Sequence, residues 1–366
     1  MTVCITGATG FIGAHVARLL SGKAPVRVTY RAEERLDRLG EVDVEPIRAD
    51  TMDRSALRRA FRDCELVYHT VGYVGSRPPE RVWEVNALGP RIAVEAAAAE
   101  GVRRIVVTSS VAGIGPAPPG EIGSEDDVYR ASGLTYADAK HEGESEALAA
   151  GARLGIEVIV VNPSYVFGVP VDRSQPGETS NRMIGNYLRG RLPAIVDGET
   201  NASDVRDVAQ GHLRAAERGI PGERYVLGGH DIRWIDLIER VAELSGVHYP
   251  VLVLPKETAR VARMAETLHL PGVVPAEAFE LMARNWRFSS RKAKRELGYR
   301  VRALNTTLRD TIEWYRDLIE RGAFNGDSVS SMSVAAAWVR LADRVGVLGG
   351  LRTAERYLGR RLLGGA

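Results

Sequence analysis

The stretch Thr6-Gly7-Ala8-Thr9-Gly10-Phe11-Ile12-Gly13 constrains this 366-residue chain more than any other. It follows a short apolar run, Val3-Cys4-Ile5, and leads into a helix-periodic segment with Phe11, Ile12, Val16, Leu19 and Leu20. A strand, a glycine turn and a helix N-terminus together bind a pyrophosphate. Gly7 permits the sharp turn, Gly10 lacks the Cβ that would block the phosphates, and Gly13 lets the helix pack close to the strand. The free N–H groups of the first helical turn then face the anion. A dinucleotide site is therefore expected at the start of the chain.

The first half alternates short apolar runs with helical patterns. Strands are expected at 2–6, 26–30, 44–48, 65–69, 103–108 and 156–161, and helices near 11–21, 53–62, 80–100 and 136–150. Several strands are rich in Val and Ile without alternation, as strands buried on both faces require. This rhythm predicts an α/β fold, a doubly wound parallel sheet with its ligand edge at the strand carboxyl ends.

After residue 162 the rhythm breaks. Pro and Gly cluster from Pro163 to Gly177, and smaller elements follow: helices near 181–189, 205–217 and 233–245, and strands near 193–197, 224–227 and 248–254. Phe288 to Leu297 reads as a strand end capping a short helix. Residues 1–162 are thus expected to form the dinucleotide-binding domain. Residues 163–322 form a smaller, partly interleaved substrate lobe, and 323–366 an amphipathic helical tail. Gly322 to Ser333 is a polar linker; Val334, Trp338, Leu341, Val345 and Leu348 then fall at helical spacing, as do Leu351, Ala354, Leu358 and Leu362. The tail carries Arg340, Arg344, Arg352, Arg356, Arg360 and Arg361 against three acids. It is expected to pack on its own lobe or on a twin subunit in a homodimer, with contact to an anionic membrane surface as the alternative.

A net charge of +2 implies no nucleic-acid partner. Cys4 and Cys64 sit in or beside apolar runs and read as buried thiols. The seven His are scattered without metal spacing, so no metal is expected. A chain that enters a core strand by residue 2, with no uncharged run of spanning length, is expected to be cytoplasmic. The Ala, Arg and Gly content suggests a high-GC bacterial source.

Tyr136 and Lys140 stand four apart and share one helix face. An ammonium near a phenol is expected to lower its pKa. Such a tyrosine can give a proton to a carbonyl oxygen or take one from an alcohol. Ser110 ends the apolar strand Val106-Val107-Thr108-Ser109-Ser110, and its hydroxyl could polarise the same oxygen. Asp204 reads as a helix cap, and Arg206 as a possible substrate contact.

These motifs together resemble an extended short-chain dehydrogenase/reductase. Within that superfamily the chain is most similar to the dihydroflavonol-reductase-like branch, which also holds hopanoid-associated epimerase-like proteins. The resemblance runs over about residues 2 to 320. It rests on Thr6 to Gly13, Tyr68-His69, Asn86-Ala87-Leu88-Gly89, Thr108-Ser109-Ser110, Tyr136 to Lys140, Asn162-Pro163-Ser164, Asp204 to Ala209 and Gly222 to Gly229. It implies a Rossmann fold with Tyr136 as acid/base and Lys140 holding the nicotinamide ribose. Ser110 is the substrate-polarising hydroxyl, ahead of Ser109, and Asn86 has a structural role. Gly7, Thr9, Gly10, Phe11, Ile12 and Gly13 would hold the pyrophosphate, Asp50 and Thr51 the adenine side, and Pro163 and Ser164 the nicotinamide. Thr70, Val71 and Gly72 would line the crevice beside the family's histidine, His69. The chain departs from the family pattern in Thr70 to Tyr73 and in Gly168-Val169-Pro170.

NAD-specific relatives carry an acid at the end of the second strand. Here Val26-Arg27-Val28-Thr29-Tyr30-Arg31 ends in a base. Arg31, assisted by Arg35, is suited to a 2′-phosphate, so the expected cofactor is NADP(H). The leading functional expectation is an NADPH-dependent reductase of a small aldehyde or ketone. The alternatives are a nucleotide-sugar epimerase or dehydratase, a 3β-hydroxysteroid-type dehydrogenase, and a cofactor-bound scaffold without turnover.

Overall fold

A computed structural model describes residues 2–174, 176, 180–267, 276–324, 331–346 and 348–365; part of the expected polar linker, 325–330, lies outside them. The first half forms β1 (Thr2–Thr6), β2 (Val26–Tyr30), β3 (Glu45–Arg48), β4 (Cys64–His69), β5 (Arg104–Thr108) and β6 (Glu157–Pro163). The second half adds β7 (Tyr165–Phe167), β8 (Ala194–Val196), β9 (Glu199–Asp204), β10 (Arg224–Leu227), β11 (His230–Arg233), β12 (Val251–Leu254) and β13 (Leu363–Gly364). Seven strands make one parallel sheet in the order β10-β6-β5-β4-β1-β2-β3.

Successive residues of a strand point to opposite faces, and both faces of this sheet are covered. Val3, Ile5, Val106, Ile159 and Val161 pack with Val16 of the helix Phe11–Leu20 and Val208 of the helix Val205–Arg218. Their neighbours Cys4, Ile105, Val107, Val158 and Val160 face the other way, onto Leu57, Phe61, Val94 and Ala147. The unbroken Val/Ile runs therefore belong to strands buried twice over. The strand order reverses between β1 and β4, which opens a crevice at their carboxyl ends.

The helix expected over 80–100 is interrupted. It runs as Pro79–Trp83, a π-helical turn Glu84–Leu88, and Gly89–Ala99. The long helix Thr135–Leu154 crosses closely here: Gly143 sits so near the Asn86 carbonyl that a Cβ there would overlap it. A π turn lets the carbonyl sit at that crossing.

β10 lies in the second half of the sequence yet completes the main sheet beside β6. The remaining strands form two small sheets, β11-β9-β7 and β13-β12-β8. They enclose a second core around Phe167, Tyr187, Trp234, Ile238, Leu308, Trp314 and Tyr315. Much of it comes from the helix Leu304–Glu320, which sequence reading left unassigned. The C-terminus joins this lobe: Leu363 and Gly364 pair with Leu252 and Val251, and the Tyr187 hydroxyl donates to the Gly365 carbonyl at 2.9 Å. Among the described residues, no helix is long and apolar enough to cross a membrane.

Candidate active site

The glycine turn sits at the crevice. Gly7 has φ +73°, and a Cβ there would lie 2.8 Å from the Val71 nitrogen. At Gly13 a Cβ would overlap the Gly7 carbonyl and reach 2.5 Å from the Thr70 hydroxyl. The two glycines thus let β1, the helix Phe11–Leu20 and the Thr70-Val71 segment close on one another. Gly10 caps that helix without a side chain, so its first-turn N–H groups stay open to an anion. Thr9, Phe11 and Ile12 are partly exposed beside it. Thr70 donates twice to the Thr6 carbonyl, from its N–H at 3.0 Å and its hydroxyl at 2.7 Å. Gly72 faces the Lys140 ammonium, 3.1 Å from where its Cβ would stand. Asn86 holds this wall in place: its oxygen accepts from the Tyr73 N–H at 3.0 Å and its amide donates to the Tyr73 carbonyl at 2.8 Å. These residues fit a dinucleotide: side chains at 7 or 13 would push the turn, the helix and the Thr70-Val71 segment apart, and the helix N-terminus at Gly10 carries no capping side chain.

Tyr136 and Lys140 project from the helix Thr135–Leu154 toward the end of β5, where Ser110 begins a tight turn. The Ser110 hydroxyl accepts from the Ala112 N–H at 3.1 Å and lies near the Tyr136 phenol, whose pKa it pulls downward. Ser109, by contrast, is turned inward with its hydroxyl buried and unpartnered. The Lys140 ammonium lies 6.0 Å from the Tyr136 ring centre and donates to the Thr108 carbonyl at 3.3 Å. Burial pulls its pKa down to about 8, against the opposing pull of Glu144. The tyrosine differs from expectation. Its pKa is raised, because desolvation of the phenolate outweighs the pull of Ser110. The phenol is therefore held protonated.

Behind this group lies a buried polar network. The Asn162 amide donates to the Ser110 carbonyl at 3.0 Å and to Glu144 at 2.8 Å, and Glu144 pairs with Arg224 at 2.9 Å. The carboxyl end of β6, Pro163-Ser164, borders the site, with the Ser164 hydroxyl buried and unpartnered. His69 is fully buried, bonded to the Thr6 hydroxyl at 2.8 Å; burial and Lys140 lower its pKa to about 3, so it stays neutral and serves packing. From the second half of the chain, Glu277 accepts from the Tyr136 N–H at 3.1 Å.

At the end of β2, Arg31 is largely exposed and lies 3.7 Å from the Asp50 carboxylate, which Arg81 also approaches at 3.8 Å. Asp50 is partly exposed, whereas Thr51 is buried against Gly89. Arg35 lies in a short helical turn, Glu33–Leu39, beyond β2. Asp204 does cap its helix, accepting from the Arg206 N–H at 2.8 Å, and Arg206 itself is tied to Asp204 and Asp310, both at 2.7 Å.

Sequence reading missed Glu144, Arg224 and Glu277. Glu144 had a signal: with Tyr136 and Lys140 it makes a third step of four along one helix face. Arg224 and Glu277 had none, since only folding brings them near.

A chain with this cradle and this Ser-Tyr-Lys grouping at a sheet switch point has the makings of an extended short-chain dehydrogenase/reductase. Residues 3–228 match the model of the NAD dependent epimerase/dehydratase family. A Synechocystis protein, provisionally named dihydroflavonol 4-reductase, is 32% identical over 86% of this chain and 94% of its own length. Cinnamoyl-CoA reductase 1 of Oryza sativa is 32% identical over 66% of this chain and 75% of its own. A solved nucleoside-diphosphate-sugar epimerase of Pseudomonas aeruginosa superposes with a TM-score of 0.74 at 28% identity, covering 89% of this chain and 99% of that one. The chain belongs to the NAD dependent epimerase/dehydratase family, the extended short-chain dehydrogenase/reductases, in its dihydroflavonol-reductase-like branch. It is an oxidoreductase that uses a nicotinamide dinucleotide.

Proposed function

We propose that the protein is a cytoplasmic, NADPH-dependent reductase of a small aldehyde or ketone, with Tyr136 as proton donor. The observation that carries this reading is the grouping of Tyr136, Lys140 and Ser110 beside the glycine cradle, the Lys140 ammonium 6.0 Å from the Tyr136 ring and burial raising the Tyr136 pKa. A neutral phenol suits the reductive direction, in which the substrate oxygen must gain a proton. When bound, the reduced nicotinamide supplies the hydride to the carbonyl carbon. Ser110 then orients the carbonyl oxygen, and Tyr136 gives it the proton. The Lys140 ammonium stabilises the phenolate left behind and, through its fixed bond to Thr108, keeps its position. Gly7, Gly10 and Gly13 would seat the pyrophosphate; Asp50 would border the adenine, with Thr51 buried behind it, and Pro163 and Ser164 the nicotinamide. Arg31, in place of an acid, supports a 2′-phosphate.

The reductase names of the Synechocystis and Oryza relatives support this reading. The epimerase name of the Pseudomonas neighbour keeps a nucleotide-sugar epimerase or dehydratase as the second reading. A panel of aldehydes and ketones, followed at the nicotinamide absorbance with NADPH and NADH, separates the two. The reductase reading requires NADPH consumed in step with alcohol formed. Turnover of a nucleotide sugar with no net change in cofactor would overturn it.

A further inference from the structure

The C-terminal helix Ser331–Arg344 is attached to the protein by its less apolar edge. Ala336 is buried against the lobe, and the Arg340 guanidinium lies 5.8 Å over the Tyr249 ring. Past the helix, Leu348 is buried as well. The opposite face is apolar and open: Val334 is 42%, Trp338 67%, Leu341 47% and Val345 64% exposed. These four fall at i, i+4, i+7 and i+11, within about 60° of arc on a helix. The Val345 N–H still bonds to the Leu341 carbonyl at 3.0 Å, so the stripe stays in register past the last helical residue. The sequence predicts that it is covered by the substrate lobe or by a twin subunit. The lobe instead takes the chain beyond it: β13 pairs with β12, and Arg361 pairs with Asp236 at 3.2 Å. Leu358, on the following helix Gly349–Leu358, is also 63% exposed.

The charge of this segment says what covers the stripe. Six of the 49 basic residues but only two of the 47 acidic ones lie from Ser331 onward. The segment is therefore +4 in a chain that is +2 overall, and everything before it is net negative. One of its two acids, Glu355, is already engaged, accepting from the Leu362 and Leu363 N–H groups at 2.6 and 2.7 Å. Arg344 and Arg360 are exposed. A twofold dimer through the stripe would set two such cationic segments face to face, which opposes association. An anionic bilayer meets both requirements: its interface takes up the Trp and aliphatic side chains, and its headgroups meet the arginines.

We infer that the stripe Val334-Trp338-Leu341-Val345, together with the exposed Arg344 and Arg360 of the same segment, docks this protein on an anionic lipid surface. The helix lies in the interface plane, and the anchoring of the C-terminus by β13 holds the rest of the molecule against it. The inference does not depend on the reductase reading.

Flotation of the full-length protein with phosphatidylcholine vesicles, plain or holding roughly 30% phosphatidylglycerol, tests it. The expected result is flotation with the anionic vesicles, several-fold less with the plain ones, and release at high salt. The double variant Trp338→Glu, Leu341→Glu should lose binding about ten-fold or more while keeping its unfolding temperature and cofactor binding, because both side chains are exposed. Arg344→Glu, Arg360→Glu should weaken anionic flotation alone. Wild-type protein that floats with neither vesicle overturns the inference, as does flotation that the Trp338 variant leaves unchanged. A wild-type dimer in sedimentation equilibrium that becomes a monomer on Trp338→Glu, with no flotation, would assign the stripe to a twin subunit instead.

Discussion

The Asn162 side-chain amide bridges Glu144 and the Ser110 backbone, 2.8 Å from the carboxylate and 3.0 Å from the carbonyl. One residue at the end of β6 thereby couples the Tyr136–Lys140 helix to the turn that carries Ser110. Glu144 is buried, paired with Arg224, and pulls the Lys140 pKa upward. Glu144→Gln removes that pull, so Lys140 should lose its proton at lower pH. The pH–rate profile should move toward acid on that limb, and stability should fall by about 1–3 kcal/mol. A profile unmoved under conditions where the variant is folded would separate Glu144 from the chemistry.

Lys140 also gives a stability prediction. Its pKa is depressed on folding, from an ordinary value of 10.5 to about 8. Between those values the unfolded chain holds the proton that the folded one has lost, so this group's contribution makes stability rise as pH rises through the window. Lys140→Met should flatten that rise and stabilise the cofactor-free protein at neutral pH by about 1–3 kcal/mol. Urea unfolding of both forms across the window checks it.

Tyr136→Phe keeps the ring and removes the proton. Turnover should drop about a hundred- to ten-thousand-fold. Cofactor affinity, measured by nicotinamide fluorescence, should change little. Near-normal turnover would mean that another group supplies the proton.

Arg31→Ala should weaken NADPH by roughly 1.5–3 kcal/mol and leave NADH nearly unchanged. The neighbouring Asp50, 3.7 Å away, is the group a 2′-phosphate would have to displace. Asp50→Asn should therefore not weaken NADPH through loss of the ion pair. Equal affinity of the wild type for both cofactors would remove the role of Arg31.

Gly13→Ala places a Cβ on the Gly7 carbonyl and close to the Thr70 hydroxyl. Backbone on one side leaves no flexible neighbour to yield, so a loss of about 1–3 kcal/mol in stability is expected. Cofactor binding should fall with it. Thermal unfolding with and without NADPH reads both.

The cradle, the six leading strands and the Tyr136–Lys140 pairing were legible in the sequence for a local reason. Strands covered on both faces need unbroken apolar runs, the glycine turn needs glycines at fixed offsets, and two residues four apart on a helix always share a face. β7, β9 and β11 offered no such signal. Glu199 to Asp204 is polar, and its side chains are satisfied or enclosed only by what folds around it, as when the Asn201 amide donates to Asp231. The close crossing at Asn86 depends on Gly143, which lies far along the chain. The direction of the Tyr136 shift was likewise beyond the sequence: spacing puts an ammonium nearby, but only packing sets how much water the phenol loses. The tail shows the same division. Its periodicity announced an amphipathic helix, and its composition announced the positive charge. Which face meets the protein and which is left open was decided by β13 closing on β12 and by Arg340 settling over Tyr249, contacts made between segments that only the tertiary fold brings together.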